Sequence, residues 1–308
     1  HTYFPEKLTI KRSQDAKGES ESYRTWLLKN YEPVPPRKYL TDDFSDEAVG
    51  FIKRNRDWPF FLFLSYNAPH TPIQPPKEWT VRVKEREKGI SEQRARLVAL
   101  IEHMDEGIGR VIDGLRKSGQ YDNTLIIFTS DNGGQGNVGA RNAPWKGEKQ
   151  QMWEGGLRVP TCASWTGKIK PGSLFDGDAM TMDWLPTLAE VAGVPAPEGI
   201  EGKSLLGALS GKGADLGERL LIWVRREGGA KYGGQDYYAV RRGKWKLLQN
   251  SAFEPFNLFD LKSDPGEQRP IQKGGKERRE LEFQLREHVR RAGFIRWQGR
   301  EPDVEMVK

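Results

Sequence analysis

The amphipathic segment from residue 97 to residue 115 constrains the fold of this chain more than any other feature. Its apolar residues recur every three or four positions and therefore share one face of a predicted helix, which Gly119 ends. These residues are Leu97, Leu100, Ile101, Met104, Ile108, Val111, Ile112 and Leu115. The apolar runs Phe60–Leu64 and Thr124–Thr129 flank the helix and are typical of strands that a parallel sheet buries on both faces. Strand, helix and strand in this order predict a βαβ crossover and an α/β fold.

Other periodic segments predict a chain of two parts. Helices are expected from Thr41 to Asn55, over 183–191 and over 281–289, and strands over 158–165, 220–224, 237–241, 244–248 and 256–261. The last four strands are short, and Arg242-Gly243 fits the two-residue turn of a hairpin. We therefore predict an α/β domain over residues 1–209 and a small antiparallel-sheet plus helix subdomain over residues 210–308.

Composition and charge limit the partners of this chain. The 308 residues carry a formal net charge of +6, but the basic stretches 273–279 and 286–291 have glutamates among or beside them, as solvated helix faces do. No nucleic-acid partner is therefore expected. The longest apolar run, Pro59–Tyr66, is much shorter than the about 20 residues that a membrane span needs, so no membrane span is expected either. The single cysteine, Cys162, excludes an internal disulfide, and its place in a predicted strand favours a small buried apolar role.

Polar loops follow both strands of the predicted crossover, at the edge where open α/β sheets bind ligands. Asp131-Asn132 follows the second strand and offers a carboxylate and an amide oxygen, which are ligands that calcium and magnesium accept. The same Asp-Asn-Gly-Gly segment is also a good turn sequence, and the residues alone leave both interpretations open. His70 follows the first strand, where a histidine can act as a general acid, bind an anion, or simply hydrogen-bond the loop backbone.

A glycine-rich segment from residue 145 to residue 156 holds two candidate cations. An ammonium at Lys149 can stabilise a developing anion, and Lys146 is equally plausible on charge alone. A solvated loop lysine is the alternative for both. His103 lies between apolar residues of the long predicted helix and is expected to pack or to lie at the surface, and His288 lies among arginines of the last predicted helix.

Six motifs between residues 40 and 267 resemble motifs of the type I sulfatases of the alkaline phosphatase superfamily, and they occur in the same order as in that family. They are LTDDFSDEAVGFIKRNRDWPFFLFLSYNAPHTP, EHMDEGIGRVIDGLRKSGQYDNTLIIFTSDNGG, NAPWKGEKQQMWEGGLRVP, TMDWLPTLAEVAG, AVRRGKWKLL and FNLFDLKSDPGE. The resemblance implies an alkaline phosphatase-like mixed sheet flanked by helices, with a small carboxyl-terminal α+β subdomain. It also implies a periplasmic or secreted sulfuric ester hydrolase that acts on sulfated carbohydrates or aryl sulfates.

The resemblance assigns roles to four residues. Asp131 and Asn132 match an aspartate and asparagine that bind one calcium ion, whose other ligands in the family are two aspartates near the amino terminus. His70 matches the histidine that contacts the sulfate ester and assists the leaving group. Lys149 matches the sulfate-binding lysine five residues before a Glu-Gly-Gly. The residues on either side of Lys149 depart from the family pattern, which often has glycine there.

The family nucleophile is a formylglycine made from Cys or Ser in a C-x-P-x-R type motif, and it precedes all the matched segments. Cys162 does not supply it, because Cys162-Ala163-Ser164-Trp165-Thr166 lacks both the proline and the arginine. The resemblance therefore implies the carboxyl-terminal portion of a sulfatase. We expect the chain to supply only part of the active site and to be inactive without the amino-terminal segment of the same protein.

Two other functions compete with this expectation. A phosphoesterase of the same superfamily typically uses a pair of zinc or manganese ions and needs several histidine ligands. Of the four histidines, His103 and His288 are poorly placed for that role, and Asn132 stands where two-metal relatives tend to have histidine. A domain that binds a sulfated glycan without cleaving it is the other alternative, and the lack of a nucleophile motif in these residues favours it.

Overall fold

The computed structural model describes residues 9–11, 22–24, 27–34, 37–213, 216–226, 236–251, 253–273 and 275–292. These residues divide into two compact units. The first lies within 1–126, 135–140 and 164–167, and the second lies within 127–134, 141–163 and 168–308. The boundary predicted near Leu209 lies inside the second unit, and the division into 1–209 and 210–308 stays a prediction.

The described part of the first unit contains three α-helices: α1 (Leu40–Arg54), α2 (Lys77–Arg86) and α3 (Glu92–Lys117). α1 and α3 confirm two predicted helices, whereas α2 was not predicted. Both α1 and α2 pack on α3. At Gly107 of α3 a Cβ atom would lie 2.5 Å from Ser45 Oγ, so the absence of a side chain lets α1 approach. Among the described residues, no helix is both long and apolar enough to cross a bilayer.

Three pairs of short strands lie outside the main sheet. β1 (Thr9–Lys11) pairs with β2 (Ser22–Arg24), β3 (Leu27–Lys29) with β4 (Glu32–Val34), and β5 (Ile126–Thr129) with β6 (Thr161–Ser164). β5 and β6 lie within two of the predicted strands and confirm them with shorter bounds. β5 leads directly into the Asp-Asn-Gly-Gly segment.

Two predictions near these strands are wrong. Residues 60–64 form no strand, and Phe61 and Phe63 are 69% and 78% exposed. A strand needs hydrogen bonds from a neighbouring strand, and no described residue supplies them here, so the predicted crossover fails at its first strand. Cys162 is exposed rather than buried, because β6 pairs only with β5 among the described residues and most of its side chains remain accessible.

The second unit contains a four-stranded antiparallel sheet with the order β10-β9-β8-β7. Its strands are β7 (Leu220–Arg226), β8 (Asp236–Arg242), β9 (Trp245–Gln249) and β10 (Asn257–Asp260), which confirm the four predicted strands. Arg242 pairs with Trp245, so the turn between β8 and β9 is Gly243-Lys244 rather than Arg242-Gly243. The helices of this unit are α4 (Glu154–Leu157), α5 (Trp184–Val191), α6 (Leu206–Leu209) and α7 (Gly275–Ala292). α5 and α7 confirm predicted helices.

Alternate side chains of this sheet belong to two buried clusters, as the two-residue period of a strand requires. One cluster joins the sheet to α7 and contains Val240, Leu247, Leu258, Leu281 and Leu285. The other joins the sheet to the glycine-rich segment and contains Met152, Ala239, Leu248 and Phe259. The carboxyl-terminal sheet therefore supports the segment that carries Lys149.

Candidate active site

The Asp131–Gly134 segment bends after β5 and is held by hydrogen bonds to backbone carbonyls. Ser130 Oγ donates to the carbonyl of Asn132 at 3.3 Å, and the amide of Gly133 donates to the carbonyl of Gly156 at 2.9 Å. The Asp131 side chain is exposed, and that of Asn132 is half-buried. Neither side chain forms a hydrogen bond or ion pair with a described residue, so both oxygen donors remain available to a ligand.

Glycines make the close contact between this segment and the Glu-Gly-Gly turn possible. A Cβ atom at position 133 would lie 1.8 Å from the carbonyl oxygen of Gly155, and one at position 156 would lie 2.2 Å from that of Gln151. Gly155 itself donates its amide to the carbonyl of Lys146 at 2.7 Å. Two stretches that are distant in sequence are therefore packed backbone to backbone.

Asn142 ties the two stretches together, and the sequence interpretation missed it. Its Oδ1 accepts the amide of Gly134 at 2.9 Å, while its Nδ2 donates to the carbonyl of Gly134 at 2.8 Å and to that of Gly147 at 3.1 Å. The carbonyl of Gly134 also accepts the amide of Lys149 at 3.1 Å. The structure thus brings Lys149 to the segment that carries Asp131 and Asn132.

The structure distinguishes the two candidate lysines. Lys146 Nζ donates to the carbonyl of Glu267 at 3.2 Å and lies 3.6 Å from the centre of the Trp153 ring, so its ammonium is already used to hold the loop. Lys149 is half-buried, and its ammonium forms no hydrogen bond or ion pair with a described residue. Of the two, Lys149 is the cation that a bound anion can recruit.

His70 belongs to the first unit and is exposed on a loop with buried anchors. Ala68 packs in a core cluster with Tyr39 and Leu100, and the Tyr39 hydroxyl donates to the carbonyl of Gln74 at 2.9 Å. His70 Nδ1 lies 2.8 Å from the carbonyl of Thr71. Because a carbonyl can only accept, this contact places a proton on Nδ1 of the ring.

A second cluster with metal-ligand chemistry lies between α1 and α3. Single ligand atoms of Asp42, His103 and Glu106 lie within 4.8 Å of one another. The Arg110 guanidinium already contacts the carboxylate of Asp42 at 2.6 Å and that of Glu106 at 3.4 Å. His103 is buried, its ring lying 5.3 Å from that of Trp79, so of the two expected placements, packed or at the surface, the structure shows the packed one. Since Arg110 supplies the positive charge, this cluster is an ion-pair network.

Two family profiles match this chain. The profile described as Sulfatase matches residues 5–194, and the one described as N-sulphoglucosamine sulphohydrolase, C-terminal, matches residues 145–293. The chain therefore belongs to the sulfatase family. Its mixed α/β architecture and carboxyl-terminal subdomain are those of a type I sulfatase of the alkaline phosphatase superfamily.

Individual relatives cover much of this chain but are longer than it. It is 37% identical over 204 residues to the uncharacterized sulfatase YdeN of Escherichia coli (strain K12), which is 64% of this chain and 36% of that protein. It is 34% identical over 200 residues to the steryl-sulfatase of Homo sapiens, which is 61% of this chain and 33% of that protein. The chain therefore spans about a third of the length of these relatives.

Solved structures show the same fold. The crystal structure of Ps i-CgsB superimposes with a TM-score of 0.79 at 30% identity, over 96% of this chain and 64% of that one. The structure of BT4656 in complex with D-glucosamine-2-N,6-O-disulfate superimposes with a TM-score of 0.68 at 21% identity, over 86% of this chain and 72% of that one. The second likeness concerns the fold alone.

Proposed function

We propose that this chain is part of a sulfuric ester hydrolase that cleaves sulfated carbohydrates or aryl sulfates with the help of one calcium ion. The observation that carries the proposal is a set of side chains that have no partner among the described residues and lie on two hydrogen-bonded loops. A carboxylate (Asp131), an amide (Asn132) and an ammonium (Lys149) lie on segments joined by the Gly134–Lys149 hydrogen bond. The family of the chain and the structure of Ps i-CgsB with k-i-k-neocarrahexaose, 29% identical, support a sulfated substrate.

The donor set fits a hard cation. Asp131 and Asn132 both offer oxygen, which calcium prefers, and they supply two of the about six to eight ligands that it takes. We infer that the remaining ligands come from outside these two loops. Bound calcium would offset negative charge on the sulfate group. Lys149 would bind a nonbridging sulfate oxygen and stabilise the charge that develops there as the ester bond breaks.

His70 would act on the leaving group. With one proton on Nδ1 at the Thr71 carbonyl, protonation of the ring places the second proton on Nε2. That proton can be passed to the ester oxygen as it departs, which helps most when the leaving alcohol is poor.

The nucleophile is proposed to come from another part of the protein. Cys162 lies in β6, where neither a proline nor an arginine follows it at the spacing of the family motif. The chain alone is therefore expected to be inactive, with the amino-terminal segment of the same protein as its partner. A periplasmic or secreted location stays a prediction.

Release of sulfate tests this function. The protein from the complete reading frame and the chain of 308 residues would each be given para-nitrophenyl sulfate and a sulfated oligosaccharide, with released sulfate measured by ion chromatography. We expect release by the complete protein that a calcium chelator abolishes, and none by the chain alone. A preference for para-nitrophenyl phosphate would indicate the phosphoesterase alternative. Binding of the oligosaccharide without release by the complete protein would indicate the glycan-binding alternative.

A His70→Gln variant of the complete protein tests the leaving-group role. Its activity should fall more on the alkyl sulfate of the oligosaccharide than on the aryl sulfate, because the aryl oxygen departs without a proton. His288→Gln is the matched control, since His288 lies on α7 and has no assigned role. An equal loss on both substrates would contradict this role.

A further inference from the structure

A lysine is completely buried beneath the candidate site. Lys246 of β9 has no solvent-exposed surface, and its Nζ lies 2.8 Å from Glu154 Oε1 and 2.8 Å from Glu267 Oε1. Glu267 is fully buried as well, and Glu154 is 4% exposed. Lysine and glutamate are almost never fully buried unless they are paired. The three residues come from β9, from the Glu-Gly-Gly turn and from the loop after β10.

The register of the sheet explains why Lys246 reaches this place. Leu247 belongs to the cluster that packs on α7, so its neighbours Lys246 and Leu248 belong to the opposite face of β9. Leu248 packs with Met152 on that face. Lys246 therefore faces the glycine-rich segment from within the sheet.

Glu267 also hydrogen-bonds the Glu-Gly-Gly turn and the segment before it. Its Oε2 accepts the amide of Glu154 at 2.6 Å, and its carbonyl accepts Lys146 Nζ at 3.2 Å. Glu267 adopts a φ of 53°, in the left-handed region that disfavours residues with a side chain. A strained backbone that is held by buried contacts on both sides is commonly tied to function.

We propose that Lys246 and Glu267 are positioning residues that fix the Glu-Gly-Gly turn and thereby the loops of Asp131, Asn132 and Lys149. The proposal rests on the function proposed above, and it adds residues that touch neither substrate nor metal. Glu154 is the link, because it is the residue of the turn that both of them contact.

The path from Lys246 to the candidate ligands is short and made of hydrogen bonds. Glu154 begins the turn that contains Gly155 and Gly156. The carbonyl of Gly156 accepts the amide of Gly133, which directly follows Asn132. The amide of Gly155 donates to Lys146, three residues before Lys149. A shift of Glu154 therefore moves both loops.

The charges around Glu154 favour a single arrangement of the turn. Its other oxygen, Oε2, lies 3.1 Å from Arg158 Nε and 3.8 Å from a guanidinium nitrogen of Arg241, which also pairs with Asp178 at 2.6 Å. Burial raises the pKa of Glu267 above its ordinary value, while Lys246 opposes that rise. Displacing Lys246 would leave the buried carboxylate of Glu267 without its cation, which is strongly unfavourable.

Hydrogen exchange of the full chain tests the positioning role at the amides of Gly133 and Lys149. Glu154→Gln keeps the Lys246–Glu267 pair and is expected to fold, and Lys246→Met removes the central charge. We expect exchange at both amides to become about tenfold faster in each variant, while amides in the β7–β8 ladder keep their rates in Glu154→Gln. Lys244→Met is the matched control, because its side chain is 46% exposed and its ammonium pairs with Asp260 at 2.7 Å rather than with a residue of the Glu-Gly-Gly turn.

Calcium provides the second readout. In the complete protein, added CaCl2 should slow exchange at Gly133, and Lys246→Met and Glu154→Gln should each raise the CaCl2 concentration needed by about tenfold. Unchanged exchange at Gly133 and Lys149 in both variants, or an equal increase across β7–β10 and α7 in Glu154→Gln, would overturn the positioning role. If the complete protein releases no sulfate, the proposed function is wrong. Faster exchange at Gly133 and Lys149 in its variants would still support the positioning role.

Discussion

The carbonyl oxygen of Gly155 lies 1.8 Å from the point where a Cβ atom of residue 133 would stand. The obstacle is backbone and belongs to a buried turn, so it cannot rotate away as a flexible side chain would. The loop that carries Asp131 and Asn132 therefore depends on the absence of a single methyl group.

Gly133→Ala should lower the free energy of unfolding by about 3 kcal/mol or more, because either the turn or the loop must move. Urea unfolding of the two proteins measures this. Gly109→Ala is the control, since nothing lies within 4 Å of its Cβ position on α3, and alanine there should stabilise the helix by about 0.5–1 kcal/mol. Equal unfolding midpoints for Gly133→Ala and the unmodified chain would contradict the close contact.

Lys149→Met should affect activity, whereas Lys146→Met should affect stability. The ammonium of Lys149 has no partner among the described residues, so its replacement should change the free energy of unfolding by less than about 0.5 kcal/mol. Lys146 holds the Glu267 carbonyl and the Trp153 ring, and its replacement should remove about 1 kcal/mol. In the complete protein, Lys149→Met should reduce kcat for an aryl sulfate by about 100-fold. A large loss of stability in Lys149→Met would show that its ammonium has a structural role.

Gln150→Gly should stabilise the chain. Gln150 adopts a φ of 81°, next to Lys149, and an exposed side chain gains nothing there that offsets the left-handed backbone. Its carbonyl accepts Arg225 Nη1 at 3.2 Å, and glycine keeps that contact. We expect an increase in the free energy of unfolding of up to about 1 kcal/mol, read from urea curves. A decrease would mean that the side chain contributes to the loop.

The buried carboxyl of Glu267 predicts a pH dependence with a defined sign. Burial raises its pKa in the folded state above the ordinary 4.5, so the folded state binds the proton more tightly than the unfolded state. Its contribution to stability is therefore complete below the unfolded pKa and is lost as the pH rises through the folded one. Lys246 and Glu154 face the carboxyl, with Arg158 and Arg241 at the far oxygen of Glu154.

Comparing the stability of the unmodified chain with that of a Glu267→Gln variant at each pH isolates this dependence. The stability of the unmodified chain relative to the variant should fall as the pH rises from about 4 to about 7. Glu287→Gln should show the opposite slope, because the hydrogen bond from Arg290 lowers the pKa of Glu287 below 4.5. Both differences in the free energy of unfolding are measured by urea unfolding at each pH. If they change with pH in the same direction, the raised pKa of Glu267 is contradicted.

Periodicity in the sequence determined the helices α1, α3, α5 and α7 and the four strands of the carboxyl-terminal sheet. These elements form their hydrogen bonds within one helix or between strands close in sequence, and their apolar faces recur at a fixed spacing. The motifs placed the chain in its family. Asp131 and Asn132 were likewise identified as a pair of oxygen donors from two adjacent residues.

Tertiary contacts decided what local pattern could not. The run Phe60–Leu64 has the composition of a strand, yet a strand exists only where a neighbour accepts its hydrogen bonds. The ammonium of Lys146 is held by the carbonyl of Glu267, about 120 residues away in the chain, and no local pattern could show that contact. Asn142 and Lys246 gave no recognisable signal in sequence, because their importance comes from backbone groups and carboxylates that only folding brings within hydrogen-bonding distance.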